Sequence, residues 1–333
     1  MASTSSITKR CMETAEKPQI SILMAVYEPR LDWLKEQLSS LNAQDYPNIK
    51  LYIRDDASKG VPLNVIQETI EKCVTRFPFE LAHNDVNLGS NATFERLTKD
   101  ADGYYFAYCD QDDIWSSEKL STLQEAIENS RAKLACSDMY VIDENGTQLA
   151  DSISKVRRRI QLKSGNGLAS SLVFHNFVTG CTMLIRAQDA KAFIPFCPYY
   201  VHDQYLAIRC ADKGRILSVR QPLIRYRIHG NNQTSALSGV YDKNSYEEKR
   251  IQTTWQRLTW LRENVLMSDS LQETIDNGIV WAKARRRNWN HQGGRKEVWK
   301  YRNFSPIPSL FELTCNWLPE SLFKKFLNIG KKL

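Results

Sequence analysis

One run, Ile20-Ser-Ile-Leu-Met-Ala-Val-Tyr27, limits the fold of this chain more than any other stretch. It is almost continuously apolar, β-rich and without helical periodicity, so it reads as a strand buried on both faces. Such a strand needs cover above and below, which a parallel sheet between helical layers supplies. The residues that follow keep to that plan. Glu28-Pro29 breaks the run, and Leu31, Leu34, Leu38 and Leu41 then recur at helical spacing in LDWLKEQLSSL. Pro47-Asn48 turns the chain into a second strand, IKLYIRDD (49–56), which ends in two aspartates. The helix NVIQETIEKCVTRF, a strand around FELAHND, a helix opening near Ser90 or Asn91, and the buried strand YYFAYCD come next. Strand and helix alternate as in an α/β protein with a mainly parallel central sheet.

Beyond Trp115 the pattern predicts a helix over SEKLSTLQEAIENS and a strand over LACSDMYVID, closed by a turn at 144–146. DSISKVRRRIQLKSGNG is polar and basic and reads as a mobile surface loop. FHNFVTGCTMLI (174–185) has a strand pattern, with Gly180 marking a bulge or a close approach. A helix is expected from about Asp203, then a late strand, LSVRQPLIRYRIH, ending at His229. From about residue 236 the strands stop, and Ile251, Trp255, Leu258, Leu261 and Val265 repeat at helical spacing. The expected division is a disordered polar leader (1–17), an α/β domain (18–235) and a helical, basic extension (236–333).

With 333 residues and 42% hydrophobic content, the chain can bury a sizeable core. No apolar run reaches the roughly 18 residues of a membrane span, and the N-terminus lacks the apolar centre of a secretion signal. A cytoplasmic protein is therefore expected. The eight cysteines are scattered singly, which argues against a zinc site or a disulfide framework; Cys109, Cys136 and Cys181 read as buried thiols. The net charge of +7 gathers in 281–302 and 323–333, pointing to an anionic partner for that end.

The chemistry concentrates in Phe106-Ala-Tyr-Cys-Asp-Gln-Asp-Asp-Ile-Trp115. Asp110, Asp112 and Asp113 fall at the carboxyl end of a predicted strand, as do Asp55 and Asp56, where α/β sheets bind ligands. Like charges this close oppose one another unless something positive sits among them. A D-x-D at a strand end offers oxygen ligands to a hard cation, Mg²⁺ or Mn²⁺, whose shell a substrate diphosphate completes. The plain alternative is a helix cap, which needs only one of the three acids.

Five stretches together carry a family resemblance: ISILMAVYE; QLSSLNAQDYPNIKLYIRDDAS; NLGSNATFERL; YFAYCDQDDIW followed by EKL; and HNFVTGCTMLI with VHDQYL and YRIHGNNQTS. In order and spacing the chain resembles a family 2 glycosyltransferase of the GT-A fold, and within it the bacterial rhamnosyltransferase-like branch, over about 20–235. The resemblance implies that Ala25, Tyr27 and Asp56 hold the nucleotide of a diphosphate-sugar donor, with deoxythymidine-diphosphate (dTDP) rhamnose favoured. It implies that Asp110 and Asp112 hold the metal and the phosphates, that Asp113 extends toward the sugar, and that Asp203 is the catalytic base. A histidine ending the late strand reaches the metal in some GT-A enzymes, which makes His229 a candidate third ligand. Glu28 stands where the family usually has Asn, so position 28 is left without a role. The implied reaction is a single inverting displacement onto a hydroxyl of a glycan or lipid-linked glycan acceptor, as in assembly of a bacterial surface polysaccharide.

Several residues carry two readings. Asp203 suits an N-cap as well as a base. His175, Asn176 and His202 are acceptor-side candidates, or else a buried histidine, a turn asparagine and a structural histidine. Arg225 and Arg227 share a strand face that meets either phosphate or solvent. In LPESLFKKFLNIGKKL, Leu322, Phe323, Phe326, Leu327 and Ile329 gather on one side with lysines flanking them. That helix, with Trp281, Trp289 and Trp299, would suit the inner face of an anionic membrane, or else docks on protein. Two other functions compete: a nucleotidyltransferase, weakened by the lack of a Gly- and Lys-rich loop after the first strand, and a nucleic-acid-binding protein using 281–302, which leaves the DQDD cluster unexplained.

Overall fold

The computed structural model describes residues 17–230 and 239–330, the last three of them by backbone alone. The leader up to residue 16, the expected domain boundary near 236, and Ile329, Lys331 and Lys332 lie outside what can be described. Nine strands form one sheet. β1 (Ile20–Val26), β2 (Ile49–Asp55), β3 (Phe79–His83) and β4 (Tyr105–Cys109) run parallel, as expected, and lie in the order β3-β2-β1-β4. Between them lie α1 (Leu31–Asn42), α2 (Leu63–Cys73) and α3 (Ser90–Asp100). Beyond β4 come β5 (Ile114–Trp115), α4 (Lys119–Ser130), β6 (Leu134–Ile142) and β7 (Gln148–Ala150). Next are the short helices α5 (Ile153–Val156) and α6 (Ala169–Phe174), then β8 (Met183–Arg186), α7 (Ala187–Ala192), α8 (His202–Lys213) and β9 (Ile216–Arg227).

The side chains of β1 alternate between two cores. Leu23 joins a core with Phe94 of α3, Leu172 of α6 and Tyr205 of α8, whereas Ile22 and Met24 join one with Leu34 and Leu38 of α1, Ile66 of α2 and Leu120 of α4. Both faces of the sheet are therefore covered, as the apolar run required.

The far half of the sheet departs from the expected pattern. β8 lies antiparallel between β4 and β6, while β6 and β9 pair in parallel. Of the strand expected over 174–185, only the last three residues are extended; Phe174 ends α6 and Gly180–Thr182 form a 3₁₀ turn. The expected mobile loop at 151–167 is anchored instead, with Ile153 buried and Gly165 bridged to Ile216 in both directions at 2.9 and 3.0 Å.

After residue 238 every described element is helical: α9 (Lys243–Tyr246), a π-helical turn (Glu247–Gln252), α10 (Thr253–Asn264), α11 (Asp269–Trp289), α12 (Arg295–Lys300), α13 (Pro306–Cys315) and α14 (Glu320–Gly330). Leu258 and Leu261 of α10 and Leu271, Ile275 and Ala282 of α11 enter the same core as α6 and α8, so the extension is built onto the sheet layer. No described helix is long and apolar enough to cross a membrane.

Candidate active site

Because β1, β2 and β4 are parallel, Tyr27, Asp56 and Asp110 emerge at one edge of the sheet. β9 runs the same way, which brings His229 to that edge too. The loops there are tied down. Gln111 and Tyr27 exchange side-chain-to-backbone hydrogen bonds at 2.8 and 3.0 Å, fixing the β1 end to the β4 end. Tyr27 is half exposed, while Ala25 packs against the core beneath. Asp56 is buried and accepts from Asn84 Nδ2 (2.8 Å) and from the Leu88 and Gly89 amides (2.9 Å each). It thus shapes the turn into α3, where Gly89 has φ +79°, a backbone that favours glycine. Glu28 now has a function: its carboxylate accepts from the Lys59 and Gly60 amides, and its own amide donates to Ser58 Oγ at 2.8 Å. It latches the β2 loop to the end of β1.

The three acids of DQDD separate into distinct environments. Asp112 turns toward His229, with Oδ2 to Nε2 at 2.7 Å, and both stay partly open to solvent. The His229 ring also leans on Trp33, 5.0 Å between centroids. Asp113 is fully buried; its Oδ1 accepts from the Arg227 amide at 3.1 Å, and its Oδ2 finds no hydrogen-bond partner among the described residues. Burial, then Asp112 and Asp110, drive its carboxyl well above the usual range. Asp110 is pushed up to about 7 by burial, then by Asp112 and Asp203. Ligand atoms of Asp110, Asp113 and Cys181 lie within 4.8 Å of one another.

Two buried cations, Lys119 and Arg227, stand behind this cluster. Lys119 at the start of α4 is fully buried, donates to the Cys181 carbonyl at 2.7 Å and lies over the Trp115 ring. Burial lowers its ammonium to about 7, against the pull of the Cys109 and Cys181 thiols and of Asp113 and Asp110. A lysine in a first helical turn ordinarily reads as solvated, so only its place in the EKL motif hinted at this. Arg227 is buried too. Its guanidinium takes Glu36 at 2.5 Å and the Asp112, Asp143 and Glu144 carbonyls. The expectation that Arg225 and Arg227 form a phosphate-facing or solvated pair fails for that reason: Arg227 is a buried tie, and the exposed Arg225 caps the Gly146 carbonyl at 2.9 Å.

Asp203 reaches the same mouth from α8. It sits in the helix's first turn rather than at the cap, which is Val201. Its Oδ2 accepts from the Gly180 amide (3.0 Å) and its Oδ1 from Asn176 Nδ2 (3.2 Å) and from the Gln204 amide. Burial raises its carboxyl to about 6, against those three hydrogen bonds. Gly180 does mark a close approach: a Cβ there would lie 2.7 Å from His202 Nε2 and 3.6 Å from Asp203.

The three acceptor-side candidates part company. Asn176 brackets Val178 through both its amide atoms and so fixes the loop that holds Asp203. His175 is exposed beside the Phe304 backbone of the extension. His202 is buried, its ring tilted against Phe94 and Tyr108 at 4.1 and 5.2 Å between centroids, and burial alone lowers it to about 3. A neutral ring under Gly180 supports the loop from below.

The donor set suits a hard divalent ion. Carboxylate oxygens with one imidazole match Mg²⁺ or Mn²⁺, and Asp113 Oδ2 is an orphaned buried oxygen aimed into the cluster. Cys181, by contrast, is held protonated by burial, and thiolate is a soft ligand.

The family model for glycosyl transferase family 2 matches residues 21–190. The chain belongs to the family 2 glycosyltransferases. A dTDP-rhamnosyl transferase of Shigella flexneri, RfbG, is 25% identical over 263 residues, 73% of this chain and 82% of its own. A putative teichuronic acid biosynthesis glycosyltransferase of Bacillus subtilis, TuaG, is 25% identical over 54% of this chain and 67% of its own. The fold matches Staphylococcus aureus TarS 1–349 in complex with UDP-GlcNAc, at TM-score 0.58 and 13% identity over 94% of this chain and 92% of that one. It matches a Pyrobaculum calidifontis mannosyltransferase in complex with GDP-Man and Mn²⁺ at TM-score 0.56 and 11% identity, over 90% of this chain and 79% of that one. Against a longer TarS chain, the match spans 43% of that protein. The GT-A fold and an enzyme using a nucleotide-sugar donor follow, and both competing functions fall. Within the 281–302 tract, Trp281, Arg285 and Trp289 are buried and serve the extension's own packing.

Proposed function

We propose that this enzyme moves a sugar from a nucleotide-diphosphate donor to a hydroxyl of a glycan acceptor in one inverting displacement. The observation that carries this is the meeting of Asp203 with the DQDD acids at one sheet edge, close enough that Asp203 opposes ionisation of Asp110. Asp203 Oδ atoms are fixed by Gly180, Asn176 and Gln204, so the carboxylate is oriented before an acceptor arrives. Held near pH 6 by burial, it is ionised at neutral pH yet basic enough to take a hydroxyl proton. Asp110, Asp112 and His229 are the residues to hold the divalent ion, Mg²⁺ or Mn²⁺. When bound, that ion offsets the charge gathering on the departing diphosphate. Tyr27, Ala25 and the loop shaped by Asp56 form the nucleotide end of the cleft. Asn176 orients the base, and His202 supports the loop beneath it.

RfbG's name supports dTDP-rhamnose as donor, and the TuaG name supports a polysaccharide or lipid-linked glycan acceptor. A panel of nucleotide sugars with Mn²⁺, reading released nucleotide, tests the donor. The account expects dTDP-rhamnose to turn over fastest, and fastest release from another donor would overturn that choice.

The extension supports peripheral attachment to the inner membrane face through only some of the residues the sequence pointed to, Leu322, Phe326 and Trp299. Trp281 and Trp289 are core residues, and Phe323 and Leu327 of α14 pack with Trp289 and Tyr246. Exposed apolar groups toward the end of the chain include Trp299 of α12, Ile307 and Leu310 of α13, Trp317 between the helices, and Leu322 and Phe326 of α14, with Lys324 and Lys325 beside them. Apolar anchors flanked by lysines suit an anionic bilayer.

A further inference from the structure

One buried charge beside the site is given no task by the mechanism: Lys119. Its backbone is fixed at the start of α4. The Lys119 amide donates to the Ser116 carbonyl at 3.1 Å, and the Leu120 amide donates to Gln44 Oε1 at 3.3 Å. Its ammonium lies over the ring of Trp115, whose own amide is tied to Ser40 Oγ of α1 at 2.9 Å. Burying an ammonium is costly, and an apolar side chain of the same length would fill the space at less cost. The charged donor is therefore explained by what it holds.

What it holds is backbone and not an acid. Among the described residues the ammonium makes no ion pair, and its hydrogen bond runs to the Cys181 carbonyl at 2.7 Å. Cys181 is the middle residue of the 3₁₀ turn Gly180–Thr182. At the start of that turn, the Gly180 amide donates to Asp203 Oδ2 at 3.0 Å. At its end, Thr182 closes on the Thr179 carbonyl through its amide (2.9 Å) and its hydroxyl (2.7 Å). Between them, Cys181 Sγ lies within 4.8 Å of carboxylate oxygens of Asp110 and Asp113. Three residues thus touch the base, the DQDD acids and the ammonium. Backed by His202 at Gly180 and pinned by Lys119 at the Cys181 carbonyl, the turn fixes the amide that aims Asp203.

We propose that Lys119 is a positioning residue for the transfer step: through the Cys181 carbonyl it sets the Gly180–Thr182 turn, and through the Gly180 amide it sets the direction of the Asp203 carboxylate. This rests on the reading of Asp203 as the base. Lys119→Met keeps the stem and removes the ammonium, which leaves the buried carbonyl unanswered and frees the turn. Nucleotide release from dTDP-rhamnose, with Mn²⁺ and an alkyl glycoside as acceptor, gives kcat; calorimetry gives the donor Kd. In Lys119→Met kcat should fall about 10- to 100-fold, because a reacting group misplaced by about 1 Å costs about that much. The donor Kd should move less than about threefold. An unchanged kcat would overturn the assignment. So would a donor Kd that weakens as much as kcat falls, since the ammonium would then serve the metal-binding acids. The decisive measurement is the double variant with Asp203→Asn. If Lys119 acts through the base, adding Lys119→Met to Asp203→Asn should lower kcat less than about threefold further. The full loss repeated in that background would show a separate structural role and overturn the proposal. Lys119→Gln, with a neutral donor one bond shorter, carries the same comparison should Lys119→Met not fold. Failure of both to fold would make Lys119 scaffold and overturn it as well. Normal turnover in Asp203→Asn alone would sink the reading of Asp203 as base and this inference with it; it shows in a chain whose Lys119 is intact, so the two failures are told apart.

Discussion

Buried charge is handled in opposite ways at the two ends of this molecule. In the extension, Arg285 and Glu312 are both buried and meet through two hydrogen bonds, the Nε one at 2.7 Å. Tyr246 donates its hydroxyl to the same carboxylate at 2.9 Å, and Asn288 donates to the Glu312 carbonyl at 3.1 Å. Both charges of this pair are answered from within, and the result ties α11 to α13. At the sheet edge, Asp110, Asp112, Asp113 and Asp203 crowd together with Lys119 as a buried neighbour. Like charges outnumber their internal partners, and the carboxyls of Asp110, Asp113 and Asp203 are driven upward. Buried charge that is closed on itself is scaffold; buried charge left in excess is a site that completes itself with something from outside.

If that contrast is right, removing a charge should have different consequences at the two ends. The largest effect is expected for Asp203→Asn, which keeps its shape and loses the base: kcat should fall about 10²- to 10⁴-fold while donor binding stays intact. Normal turnover in that variant would break the site half of the comparison. Glu312→Ala leaves Arg285 buried and unanswered, and denaturant melts should show a loss of about 3–5 kcal/mol. A loss under 1 kcal/mol would mean that the extension's pair is not closed scaffold. A smaller effect concerns pH. A base raised to about 6 is protonated as pH falls through that value, so kcat/KM should drop about tenfold per pH unit below it. A profile flat down to pH 5 would contradict the raised carboxyl. The mildest effect is expected at the surface. Leu322→Ser with Phe326→Ser removes exposed apolar area only, so binding to anionic vesicles should weaken about three- to tenfold with the melting point unchanged. A fall in melting point would show that these residues pack on protein.

What the sequence disclosed follows from how local each signal is. The run 20–27 declared a doubly covered strand because its own residues carry the pattern, and the DQDD acids declared a site because strand ends are where such clusters sit. The antiparallel β8 was lost inside a longer apolar stretch, since Phe174 and Phe177 are apolar for the sake of a helix and a loop. Lys119 gave no local sign of burial, because its partners, Cys181 and the DQDD acids, come from other elements. Trp281 and Trp289 invited a membrane reading, although Trp281, Arg285 and Trp289 recur at helical spacing, a pattern that already marked a buried face. The partner of Arg285 lies 27 residues away and could not be read locally. Glu28 lacked a role until the fold placed Lys59 and Gly60 above it.

The central claim is that the acids at the end of β4 are completed by a divalent ion and a sugar nucleotide's diphosphate. Calorimetry of dTDP-rhamnose binding, with Mn²⁺ and with EDTA, on the wild-type chain and on Asp112→Asn, tests it most directly. The account predicts tight binding only for the wild type with Mn²⁺, and at least about a hundredfold weaker binding in the other three combinations. Binding of equal strength with EDTA, or undiminished in Asp112→Asn, would contradict it.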